Sequence, residues 1–124
     1  MDFTPLERLD IIANSLQRAK AFTAGMDRDA FRGDARTRYA TVFSLETAAK
    51  VAEEVPREVR LRMQYVPWME FDRIAHAVAV ERYHETDPDS VWTLVTEVLP
   101  DLLTSVQRAI MLLQMEESHR PNVN

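Results

Sequence analysis

The polar cluster Glu81-Arg82-Tyr83-His84-Glu85 is the stretch of this chain best equipped for chemistry. His76 lies five residues before Glu81, and Arg73 three residues before His76. An unperturbed imidazole titrates near neutrality and can pass a proton in either direction. Arg73 and Arg82 supply guanidinium groups, which are suited to two-pronged contacts with an anion. Arg73 and His76 are neighbours on a helix because they are three residues apart. Against this stands a plainer account. A lone histidine among charged residues is more often at the surface or packed than catalytic, and Tyr83 could equally pack under the next helix. His76, Glu81, His84 and Glu85 match no established zinc spacing, so exposed charge explains them better than a metal site does. No metal or cofactor is expected.

The element that positions this cluster is a helix beginning at Pro67. Val66 precedes a proline and is pushed out of the α region, and Pro67 suits a first helical turn. Trp68, Phe71, Ala75, Val78 and Ala79 then recur at helical spacing. Asp87 and Pro88 supply an N-cap and first residue for the next helix. That last helix is predicted to run from Pro88 to about Met115. Its apolar stripe passes through Val91, Trp92, Val95, Leu99, Leu102, Val106, Ile110 and Leu113. Pro100 falls inside it and should kink it, or split it in two.

The rest of the chain also reads as helix. Thr4-Pro5-Leu6-Glu7 is a capping box, followed by Leu6, Leu9, Ile12, Leu16, Ala19 and Phe22 on one stripe and Gly25 at the stop. Asp27 can cap a short turn that buries Met26 or Phe31. A second long helix runs from about Asp34 to Val55, with Tyr39, Val42, Leu45, Ala49 and Ala52 on its inner side. An arginine-rich stretch, 57–65, forms a short helix or turn anchored by Val59, Met63 and Tyr65. Short connections between amphipathic helices imply an all-α, antiparallel up-and-down bundle of four to five helices. One domain spans 1–116, and 117–124 is a polar tail.

Composition narrows the function classes. The chain has 124 residues, 46% hydrophobic and 28% charged, within the range of one globular domain. Two glycines leave no phosphate-cradling loop, and the absence of cysteine removes disulfides and thiolate chemistry. The net charge of −5 disfavours a general nucleic-acid-coating surface. Thirteen of the 15 basic residues are arginine, clustered at Arg28, Arg32, Arg36 and Arg38 and again at Arg57, Arg60 and Arg62. A solvated helix face is the simpler reading, and an anion-binding strip the sharper one. No apolar run reaches membrane length, and a cytoplasmic protein is expected.

Several short motifs fall in order along the chain. They are Phe22-Thr23-Ala24-Gly25-Met26, Leu45-Glu46, Val66-Pro67-Trp68, Asp87-x-Asp89-x-Val91-Trp92, Val95-Thr96-Glu97 and Leu99-Pro100-Asp101-Leu102. Together they resemble the HepT-like branch of the HEPN superfamily, over nearly the whole length. The resemblance implies a helical bundle, a two-fold homodimer, and a metal-independent ribonuclease motif of Arg, four residues, His, one residue, Tyr. It also implies a toxin–antitoxin setting, with a small nucleotidyltransferase antitoxin that adenylylates the motif tyrosine. This chain departs from the motif. Counting back from Asp87, Tyr83 falls on the tyrosine, Glu81 on the histidine and His76 on the arginine. A gap placed elsewhere puts Ala75 and Val80 on the arginine and histidine positions. Either way the motif arginine and histidine are absent. The expectation is a HepT-like protein acting as a non-catalytic or weakly active dimeric partner of a nucleotidyltransferase. The alternatives are a ribonuclease rebuilt from His76, Glu81 and Tyr83, or a dimeric scaffold unconnected with RNA.

Overall fold

The computed structural model describes residues 2–84 and 88–119, with side chains placed except at 80–84. Helix α1 spans Pro5–Thr23 and opens on the expected capping box. The Glu7 backbone N–H donates to Thr4 Oγ1 at 3.1 Å, and the Thr4 N–H donates back to Glu7 Oε1 at 2.9 Å. Two otherwise orphaned helix-end donors are thereby satisfied. Gly25, at φ 78°, takes the left-handed conformation that turns the chain out of α1. Helix α2, Arg28–Gly33, is capped by Asp27, whose Oδ1 accepts from the Ala30 N–H at 2.8 Å. Helix α3, Ala35–Glu53, is capped by Asp34 through the Thr37 N–H at 3.0 Å.

α1 and α3 form the centre of the bundle, with α7 packed on α1 and α5 on α3. Arg8, early in α1, pairs with Glu54, just beyond α3, so these two helices run antiparallel. Leu9, Ile12, Leu16 and Ala19 of α1 are buried, as are Val42, Leu45, Ala48, Ala49 and Ala52 of α3. The alanines matter because small side chains let neighbouring backbones approach.

Two aromatic placements differ from the sequence expectation. Phe22 is exposed, because the next inward position after Ala19 falls four residues on, at Thr23, whose Oγ1 bonds the Ala19 carbonyl at 3.0 Å. Tyr39 is also half exposed, since the α3 stripe traced back from Val42 reaches Arg38 and not Tyr39.

Helix α4, Arg57–Arg62, buries Val59, while Met63 is buried just beyond it. Arg60 donates to the Ala52 carbonyl near the end of α3 and lies over the Trp68 ring at 5.3 Å. A cation at a helix C-terminus suits the dipole there. Helix α5, Met69–His84, buries Phe71, Ile74 and Val78. Ala79 is exposed; Ile74 takes the inward place that the sequence stripe had not included.

Helix α6, Pro88–Thr93, continues through a π-helical turn, Leu94–Val98, into α7, Leu99–Ser118. The N-cap assigned to Asp87 lies outside the described residues. The helix does not break at Pro100. That proline cannot donate a backbone hydrogen bond, and the turn before it widens so that the Leu99 N–H reaches back five residues to the Leu94 carbonyl. The Thr96 hydroxyl donates to the Trp92 carbonyl at 2.9 Å within the same stretch.

The described residues fall into helices and their connections, which makes the chain an all-α bundle. No helix among them is long and apolar enough to cross a membrane. Truncating Leu45, fully buried between helices, is expected to cost about 2–5 kcal/mol. Phe43→Ala, on a side chain 70% exposed, should cost roughly 0.5 kcal/mol or less. Urea unfolding followed by circular dichroism checks both, and equal losses would contradict this assignment of the core.

Candidate active site

α2 is too short to hold itself in place, and two side chains dock it onto α6. Phe31 is buried against Trp92, with ring centroids 5.3 Å apart at a 40° tilt. Arg32 makes a two-pronged bond to Asp89, Nε to Oδ1 at 3.0 Å and Nη2 to Oδ2 at 2.6 Å. This fork geometry matches a guanidinium to a carboxylate. The Asp89 carboxyl is held below its ordinary range, first by the Arg32 hydrogen bonds and then by the charges of Arg32 and Arg28. Sequence reasoning had placed Arg32 in a surface cluster and Asp89 in a motif. It could not pair them, because 57 residues separate them.

Beside this junction α5 and α6 leave an open cleft of about 380 Å³. Arg73, His76 and Ala77 form the α5 wall, and Asp89, Ser90, Thr93 and Leu94 the opposite one. Leu94 is the first residue of the π turn, so the widened backbone borders the cleft. His76 is exposed on this wall, one turn after Arg73. Arg73 in turn lies 3.5 Å from Glu70. The structure thus brings Arg73 and His76 together in one concave place, as their spacing had suggested. Glu81 and Tyr83 lie in the last turns of α5, but their side chains are outside the described residues. Tyr83 follows His76 by seven residues, two turns along the same helix. Trp68 and Trp92 are both partly buried packing residues, as their sequence context implied.

Among the described residues, the cleft sets the exposed His76 imidazole beside the Arg73 guanidinium, a pair suited to proton transfer next to an anion. Both neighbouring charges are already engaged, Arg73 with Glu70 and Asp89 with Arg32. A sequence profile for the family described as "Ribonuclease HepT-like" matches residues 12–109. The chain belongs to this HepT-like family. A curated relative, the probable ribonuclease HepT of Thermococcus cleftensis, is 24% identical over 94 residues. The match covers 76% of this chain and 84% of that protein. No solved structure matches. The family match supports a ribonuclease-like setting for the chain as a whole.

Lowering of the Asp89 pKa gives the α2–α6 junction a defined pH dependence. A carboxyl whose folded pKa lies below its unfolded value stabilises the fold above the unfolded value. That contribution disappears as pH falls through the lowered folded value. Both groups are substantially exposed, so solvent screens the effect. Acid below the ordinary aspartate range is expected to loosen α2 and change the fluorescence of Trp92, read in a Trp68→Phe background. Arg32→Gln should remove this acid step. An unchanged step in Arg32→Gln would show that the fork is not its source.

Proposed function

We propose that this HepT-like chain works by binding, as a dimeric partner of a small nucleotidyltransferase, and has little or no ribonuclease activity of its own. The proposal takes the toxin–antitoxin setting and the cytoplasm as its context. The observation that supports it best is the residue set at the motif positions. In one register they hold His76 and Glu81, in the other Ala75 and Val80. Neither pair supplies both an imidazole and a guanidinium. Losing a general base forfeits about a hundred- to ten-thousand-fold in rate. Losing the group that stabilises transition-state charge forfeits about a hundred- to thousand-fold, and such losses need not multiply. Glu81 in the first register would also repel a phosphate. In the first register Tyr83 falls on the motif tyrosine and is the candidate acceptor of AMP, its phenol oxygen displacing pyrophosphate from ATP.

A second reading has one observation in its favour. Arg73 and His76 share the cleft wall, so a rebuilt ribonuclease could use His76 as base and Arg73 as cation. It would have to draw Arg73 from Glu70. The test compares total-RNA cleavage by the natural protein, His76→Ala, and the double variant His76→Arg with Glu81→His. The natural protein should be near background and indistinguishable from His76→Ala, and the double variant should gain activity. Strong cleavage by the natural protein, abolished in His76→Ala, would replace the binding reading with the enzyme reading.

A further inference from the structure

Two helical registers compete where α6 meets α7. Counted back from Val106 at about 100° per residue, the inward positions of an unbroken α-helix are Leu102, Leu99, Val95 and Trp92. Leu94 would then fall about 120° from Val106, on the side where Leu112 is 37% exposed. The structure buries a different set. Val91, Leu94 and Val95 are 0%, 3% and 6% exposed, and Trp92 is only partly buried. The π turn Leu94–Val98 accounts for the difference. It takes up one residue more than an α turn and so rotates α6 by about 100° relative to α7.

Both registers bury apolar side chains. Val91 and Val95 face inward in either one, joined by Leu94 in the π register and by Trp92 in the α register. Pro100 narrows the remaining difference. It has no N–H to give to Thr96, as an α turn requires, or to Val95, as a π turn requires. Neither register therefore completes its backbone ladder at this place.

The contacts of α2 favour one of the two. In the π register Trp92 lies against Phe31, and Asp89 receives the fork of Arg32. Rotation by about 100° carries both side chains away from α2. The same rotation withdraws Asp89, Ser90, Thr93 and Leu94 from the cleft. We propose that α6 is a two-register switch: the π turn closes to an α turn, Trp92 turns inward and Leu94 outward, and α2 is the latch that holds the open-cleft register. Cleft shape then depends on α2, which contributes none of the described cleft residues. Helix register shifts of this kind run on the μs–ms scale. The switch stands whether the chain binds or cleaves, so it does not rest on the function proposed above.

The chain has no cysteine and two tryptophans, so a single-cysteine variant and a Trp68→Phe background each report one position. Maleimide labelling of Leu94→Cys and acrylamide quenching of Trp92 are compared with Arg32 present and in Arg32→Gln. Releasing the latch should speed labelling at position 94 by roughly three- to tenfold and at the same time protect Trp92 from the quencher. Opposite changes at two such close positions are the mark of rotation, because mere loosening of α6 exposes both. Deleting Thr96, an exposed residue of the π turn, removes the extra residue and fixes Leu94 inward on a plain α-helix. That deletion should abolish both effects of Arg32→Gln with an unchanged helical spectrum. If Leu94→Cys does not fold, Ser90→Cys, one turn earlier on the same side, replaces it. If the deletion does not fold, the paired readings at 92 and 94 decide. Greater exposure of both positions in Arg32→Gln, no change at either, or effects that persist in the Thr96 deletion would overturn the switch.

Discussion

Everything in this protein hangs on a helical rod that a proline fails to break. Pro100 removes a donor from the middle of a long apolar stripe, and the chain answers with one π turn instead of a loop. The stripe survives the interruption, with Val91, Leu94, Val95, Leu99, Leu102 and Val106 all buried. One continuous element can therefore carry the α2 docking site and the cleft at one end and reach the far side of the bundle at the other. A break at Pro100 would have left the cleft wall, six to eleven residues upstream, on a separate and weakly held segment.

The cleft is a by-product of that rod and of α5 lying beside it. The two walls are held by different means. The α5 wall is fixed by burial of Phe71, Ile74 and Val78. The α6 wall is fixed by Val91 underneath and by the Phe31–Trp92 and Arg32–Asp89 contacts from α2. The arginine cluster near residue 32, which in sequence reads either as solvated surface or as an anion strip, thus spends one member on an internal carboxylate. Among the described residues, that use takes Arg32 out of any anion strip and makes it part of the α2–α6 junction.

Much of the fold was legible because local rules and tertiary packing agree. Thr4, Asp27 and Asp34 cap where short polar side chains should, and the Leu9–Ile12–Leu16–Ala19 stripe faces the core. The misses have physical causes. Phe22 and Tyr39 are apolar enough to be drawn into a stripe by eye, yet helical rotation carries them off the buried face. The π turn was hidden because a proline within a helix has several remedies, and sequence does not choose among them. The Arg32–Asp89 fork is a long-range pairing that no spacing rule reaches. The neighbouring places of Arg73 and His76 on one cleft wall follow from their helical separation.

The central claim is that this chain keeps the acceptor tyrosine while having lost the nuclease pair. Mass spectrometry of the protein co-expressed with a small nucleotidyltransferase and supplied with ATP tests it most directly. The account predicts one added AMP on the natural protein, mapped to Tyr83 and absent from Tyr83→Phe. AMP retained in Tyr83→Phe, or no addition to a natural protein that forms a complex with the enzyme, would contradict it.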